Sequence, residues 1–160
     1  MNQTFAVGLA AVFLALAAPA EAGTNPANGK AIEACLTAAT EKGTSLTTCI
    51  GIVADPCIAK AATTNSYIED SKACATRELA VWTARMHRAI KEAGRGGGKD
   101  TASAVASAQK TWSDSVARLC PLFEKLDPGM SLGGADYCRL HHTAIRTLAL
   151  ERLAQAVNPH

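Results

Sequence analysis

The chain opens on an almost unbroken apolar run from Phe5 to Ala18, which Pro19 ends. Beyond it the hydrophobic positions recur at helical intervals with little β-branched alternation, a pattern that predicts helices. A short helix is expected from about Lys30 to Thr40, broken by Glu41-Lys42-Gly43-Thr44-Ser45. A second follows from about Leu46 and is bent or restarted at Asp55-Pro56, because proline fits a first helical turn but not a helix interior. Thr63-Thr64-Asn65-Ser66 is the next turn. Three longer helices come afterwards. The first spans about Ser66 to Glu92 and carries the apolar stripe Leu79, Trp82, Met86 and Ile90. Gly94 to Asp100 reads as a flexible, exposed, glycine-rich loop. The second opens near Thr101 or Ser103 and carries Val105, Ala108, Trp112, Val116 and Leu119, with a kink expected at Pro121. Asp127-Pro128-Gly129 makes a turn, and Gly133-Gly134 extends it. The third spans about Ala135 to Val157, with Tyr137, His141, Ala144 and Leu148 on its stripe.

The leading apolar run is too short to span a bilayer, and small residues follow it at signal-peptidase spacing, Ala18-Pro19-Ala20 or Ala20-Glu21-Ala22. Met1-Asn2-Gln3-Thr4 has no Lys or Arg, so the α-amino group alone supplies the positive charge. The organisation expected is a signal peptide over 1–22, a flexible linker over 23–29, an N-terminal disulfide hairpin over 30–56 and a helical domain over 57–157. The protein is then periplasmic or secreted, with no stable membrane insertion after cleavage. The formal net charge is +2, or +3 once Glu21 leaves with the signal. That is too little to argue for a nucleic-acid partner, which calls for a clustered basic face. With seven aromatic residues in the chain, the core is built mainly from Leu, Ile, Val, Met and Ala, with Trp82 and Trp112 as its largest pieces.

An even count of six cysteines in an exported chain reads as disulfides. No Cys-x-x-Cys pair is present to suggest a zinc knuckle. Residues equidistant from the turn of an antiparallel helical hairpin face each other. Cys35 and Cys49 are centred on Lys42, Cys57 and Cys74 on Asn65-Ser66, and Cys120 and Cys138 on Gly129. Of fifteen connectivities, this symmetry favours Cys35–Cys49, Cys57–Cys74 and Cys120–Cys138. Loops of this size contribute about 3 kcal/mol each in the chain-entropy account. The fold class expected is therefore all-α, a disulfide-stapled helical bundle of three longer helices and an N-terminal helical hairpin.

The spacing of several residues resembles the LprI-like lysozyme-inhibitor family of small exported bacterial proteins. Cys74, Glu78 and Trp82 open the pattern, and Met86-His87-Arg88-Ala89-Ile90 stands in the place of the family's Leu-Asn-x-x-Tyr. Gln109-Lys110-Thr111-Trp112 matches Gln-Arg-x-Trp, with Cys120 eight residues after the Trp. Cys138, Thr143, Arg146 and Leu150 match the closing Cys-x4-Thr-x2-Arg-x3-Leu. The resemblance covers roughly Cys57 to Leu153. Two departures are His87 and Ile90, in place of the family's Asn and Tyr, and Val116-Ala117, in place of an Arg-Asp pair. The resemblance implies a helical domain with two core disulfides, and lysozyme inhibition as an activity of some members.

Catalytic and metal chemistry find little support. His141-His142 diverge by about 100° around a helix, whereas helical metal pairs need a spacing of three or four. Their reading is a half-buried His141 and an exposed His142. Ser113, Ser115 and His87 stand in no nucleophile motif. The chain is accordingly read as no enzyme, with no cofactor and no metal. The family-motif residues Glu78, Trp82, Gln109, Trp112, Thr143 and Arg146 have a structural reading, in which Trp112 fills a helix interface and Arg146 pairs with Glu78 or Asp114. Arg95, Lys99, Gln109 and Arg146 are the candidate partner-binding residues. A basic glycine-rich tip suits the acidic cleft of a muramidase. The function expected is a binding protein for a protein partner, in particular a lysozyme inhibitor; the alternative is an envelope structural or assembly factor with an unrelated partner.

Overall fold

Asn25 accepts a hydrogen bond from the Ala27 N–H at 3.0 Å, and Pro26 follows in the first turn, where its missing N–H costs nothing. Helix α1 (Pro26–Glu41) therefore starts four residues before the expected Lys30. Residues 26–29, read from sequence as flexible linker, are helical. The structure, a computed structural model, describes residues 25–126 and 134–158. The expected signal peptide and the Asp127-Pro128-Gly129 turn lie outside the described residues.

Ser45 caps a 3-10 turn (Leu46–Cys49) by accepting from the Thr47 N–H at 3.3 Å. The second short helix is thus this turn followed by α2 (Ala54–Ala61), with Pro56 in its first turn. The boundary expected at 56/57 falls inside α2. The three longer helices are α3 (Tyr67–Gly96), α4 (Gly98–Leu126) and α5 (Gly134–Val157), and α4 continues through Pro121. Among the described residues there is no strand. Cross-contacts fix the directions. Trp82, Arg85 and Glu92 of α3 meet Thr147, Glu151 and Asn158 in the same order, so α3 and α5 run parallel. Lys72–Glu124 and Gln109–Met86 on one side, with Gln109–Arg146 and Cys120–Cys138 on the other, make α4 antiparallel to both.

The stretch read as a flexible loop over Gly94 to Asp100 is instead an elbow. Helix α3 runs on to Gly96, Gly97 alone separates the helices, and α4 starts at Gly98. Gly98 has φ +72, a conformation that favours glycine. A Cβ on Gly97 would run into the Thr101 side chain. The glycines serve a sharp reversal between two packed helices, which composition alone does not distinguish from a loose connector.

One hydrophobic cluster joins the N-terminal hairpin to α3 and α5: Ile32, Leu36, Cys49, Ala54 and Ile58 pack with Cys74, Val81, Trp82, Leu140 and Ala144. A second lies toward the elbow (Met86, Ala89, Ala93, Val105, Leu150, Ala154), and a third surrounds Val116, Cys120, Ala135 and Cys138. Trp112 is half-buried and packs against both of these. The stripe expected on α5 is displaced. Its buried positions include Leu140, Thr143, Ala144, Thr147, Leu150 and Ala154, whereas His141 is exposed and His142 half-buried. The reading of the two histidines is thereby reversed. The threonines mask the stripe: Thr147 Oγ1 donates to the Thr143 and Trp82 carbonyls at 2.7 and 3.2 Å, so a polar residue is satisfied in the core.

All three favoured cysteine pairs are bonded, with Cα–Cα separations of 5.7, 5.6 and 5.4 Å for Cys35–Cys49, Cys57–Cys74 and Cys120–Cys138. No free cysteine remains. Three such bonds belong to a compartment where thiols oxidise. No described helix is long and apolar enough to cross a membrane. Replacing both Cys57 and Cys74 by Ala is expected to lower the unfolding free energy by about 2–4 kcal/mol. Urea denaturation of the variant against the native protein measures that loss, and a change below about 0.5 kcal/mol contradicts it.

Candidate functional site

The family-motif residues separate into two groups. In the first, the Glu78 side chain on α3 is fully buried and ends in the turn that opens α2. Its Oε1 accepts from the Gly51 N–H at 2.8 Å and the Trp82 indole Nε1–H at 2.9 Å. Its Oε2 accepts from the N–H groups of Val53 and Ala54 at 2.9 and 2.8 Å. The N-cap residue of α2, Val53, has no side-chain acceptor of its own, so a glutamate from another helix satisfies those orphan donors. Four donors and no competing acceptor suit a carboxylate, and charge-assisted bonds of this kind are stronger than neutral ones. Gly51 has φ +92, and a Cβ there would collide with the Asp55 carboxylate. The turn can therefore close over Glu78 only with glycine at this position.

Trp82, one turn along, is also fully buried. The Arg85 guanidinium carbon sits 5.9 Å from the centre of its ring, within cation–π range. Arg85 reaches Glu151 on α5 at 2.9 Å and also bonds Glu33 on α1, so one side chain ties three helices. Burial pushes the Glu151 carboxyl above its ordinary value despite the adjacent Arg85. Tyr137 on α5 donates its hydroxyl to Asp55 Oδ1 at 2.8 Å and ties α5 to α2. Sequence reasoning missed these roles. Arg85 carried no signal, since its partners lie 52 and 66 residues away. Glu78 did carry one, as an acidic residue on an apolar stripe between a cysteine and a tryptophan.

The second group is Gln109 and Arg146. The Gln109 Nε2 amide donates to the Met86 sulfur at 3.2 Å, which turns its Oε1 toward α5, where it accepts from Arg146 Nε at 3.1 Å. The pairing expected of Arg146 with Glu78 or Asp114 is therefore not the one formed. Glu78 is occupied by the α2 turn, and Asp114 takes Lys110 at 2.6 Å, a contact that holds its carboxyl below the usual range. Thr143 is buried, its carbonyl accepting from Thr147.

Arg95 and Lys99 flank the elbow and are exposed. They stand at one end of the bundle, apart from Glu78 and Trp82. Asn158 buttresses this end through its side-chain amide, bonded to the Glu92 and Ala154 carbonyls at 3.2 and 2.9 Å. A cleft of about 500 Å³ opens beside it, lined in part by Arg85, Glu92, Arg95 and Glu151. His87 is exposed. His142 lies with the Cys120 and Cys138 sulfurs within a 4.8 Å cluster, but those two sulfurs are bonded to each other and offer no thiolate to a metal. Searches of protein-family models, of curated proteins and of solved structures each return no match to this chain.

Two measurements probe this assembly. Glu78→Gln places an amide donor against backbone donors and is expected to destabilise the fold by about 2–4 kcal/mol; a denaturation midpoint equal to that of the native protein contradicts the capping role. Tyr137 gives a pH signature. Burial and the bond to the Asp55 carboxylate push its phenol from 10 up to about 12. A folded value raised above the unfolded one gives stabilisation that is complete below about pH 10 and lost as pH rises through the folded value. The stability advantage of the native protein over Tyr137→Phe should then shrink between about pH 10 and 12. Denaturant titrations across that window, with phenolate absorbance followed in parallel, check it.

Proposed function

We propose that the protein is an exported, disulfide-stabilised binding protein, periplasmic or secreted, whose partner is a lysozyme-like muramidase that it inhibits. The observation carrying this reading is the elbow. Two packed helices meet at one glycine, with Arg95 and Lys99 exposed on either side of it and the corner braced by Asn158. A braced projection loses little conformational freedom on entering a concave site, and such preorganisation strengthens binding. Basic side chains at its tip suit the carboxylates that line a glycosidase cleft. The net charge of the chain gives no long-range steering toward enzymes that are themselves basic, so recognition is local to the corner. The motif spacing from Cys74 to Leu150, which resembles the LprI-like inhibitors, supports the same reading.

Hydrolysis of cell-wall substrate by several lysozyme types, with and without the oxidised protein, tests the proposal. Inhibition of at least one type is expected, and the double variant Arg95→Glu, Lys99→Glu should weaken it at least tenfold with no change in thermal stability. Absence of both inhibition and complex formation across the lysozymes overturns the reading. Inhibition that the double variant leaves intact overturns the corner as the contact.

A further inference from the structure

A second concavity, of about 370 Å³, lies between α4 and α5 and has no part in the corner contact. Buried Val105 and Leu150 form its floor, the small side chains of Ala104, Ala108 and Ala149 leave its flanks open, and Arg146 closes one end. Its volume falls in the range of small-molecule sites. The surface is largely apolar, with Thr101 and Arg146 as its polar residues and Arg146 as its one charge. That guanidinium is half-buried and spends one donor, Nε, on Gln109. Its Nη groups meet no protein acceptor among the described residues. Asp114 on α4 and Glu151 on α5 are engaged elsewhere, with Lys110 and Arg85 respectively. A planar guanidinium with free donors takes a carboxylate in two parallel hydrogen bonds. From Arg146 the groove runs to Leu153, about 10 Å along the helix axis at 1.5 Å per residue.

We propose that this groove binds an unbranched medium-chain fatty acid, its carboxylate on Arg146 and its chain over Val105 and Leu150 toward Leu153. One cation at one end of an apolar groove suits a single anionic head followed by an apolar tail. Each methylene withdrawn from water adds to the affinity. Gln109, held by Met86, fixes the Arg146 guanidinium through Nε and leaves the Nη edge toward the ligand. Gln109 is thereby a positioning residue.

Isothermal titration of the oxidised protein with decanoate, below its micelle concentration, provides the test, with 1-decanol as the uncharged counterpart. Decanoate should bind with one-to-one stoichiometry and at least tenfold more tightly than decanol. Arg146→Gln should bring decanoate down to the level of decanol and leave decanol unchanged, while Arg146→Lys retains part of the preference. Ala149→Met, which fills the groove, should weaken both ligands. Should Arg146→Gln fail to fold, the comparison of the two head groups on the native protein and the Ala149→Met variant still decide. No decanoate binding, equal affinity for the two head groups, or a stoichiometry well above one overturns the proposal. So does an Arg146→Gln variant, folded, with native decanoate affinity.

Discussion

The buried Glu78 carboxylate is the constraint on which the rest of this bundle depends. A bare ionised group at full burial would cost far more than the few kcal/mol by which a domain is stable. Here it is surrounded by three backbone N–H groups and an indole N–H. Those donors come from two separate parts of the chain, the turn at Gly51 to Ala54 and the tryptophan on the same helix as the glutamate. Helix α3 can bury Glu78 only with the α2 turn in place, and the turn needs Glu78 because its own cap residue has no acceptor. The N-terminal hairpin and the long helices are consequently one cooperative unit, which agrees with the hydrophobic cluster they share.

This dependence gives the spacing of the first motif a physical reason. Cys74, Glu78 and Trp82 are four residues apart, one above another on a single face of α3. They make three attachments in succession to what lies over that face: a covalent bond to Cys57 on α2, a set of hydrogen bonds to the turn before α2, and an aromatic surface in the core. All three are saturated within the fold. Gln109 and Arg146 differ. They meet across α4 and α5, but their bond leaves most of the arginine donors over. A pattern that looks uniform along the sequence thus divides into residues that complete the fold and residues that retain unsatisfied chemistry, and it is the second kind that can recognise a partner or ligand.

Much of the fold was legible because covalent geometry is strict. Two cysteines can bond only with their Cα atoms a few ångströms apart, so cysteines symmetric about a turn name their partners when the flanking segments are helical. Helix existence was legible from periodicity for the same local reason. What escaped was set by tertiary context. A run of glycines looks the same in sequence whether it loosens a connector or permits a reversal as tight as Gly97-Gly98. The buried face of α5 was misplaced because Thr143 and Thr147 count as polar in a pattern yet lie in the core, with Thr147 bonded to backbone carbonyls. At the candidate site, Gln109 and Arg146 were legible as residues, but the partner of Arg146 depended on the register between α4 and α5, which the pattern of either helix alone does not fix.

Scarcity of aromatic residues connects the remaining features. A core assembled largely from alanine and medium aliphatic side chains lets helices approach closely but buries little area per contact, so the fold relies on cross-links. They stand where the chain turns: a disulfide across each of three bends, the Glu78 cap, the Arg85 bridge and the elbow at Gly97. Helix α4 is held at its two ends, by the elbow and by Cys120, and is spanned near its middle by Gln109. Between the elbow and Gln109 its residues along the groove are small, Thr101, Ala104, Val105 and Ala108, and small side chains cannot fill the space between two cylinders fixed at a distance by their ends. The groove ending at Arg146 is therefore a consequence of how this bundle is held together: the cross-links determine the separation of the helices, and the small side chains leave that separation open.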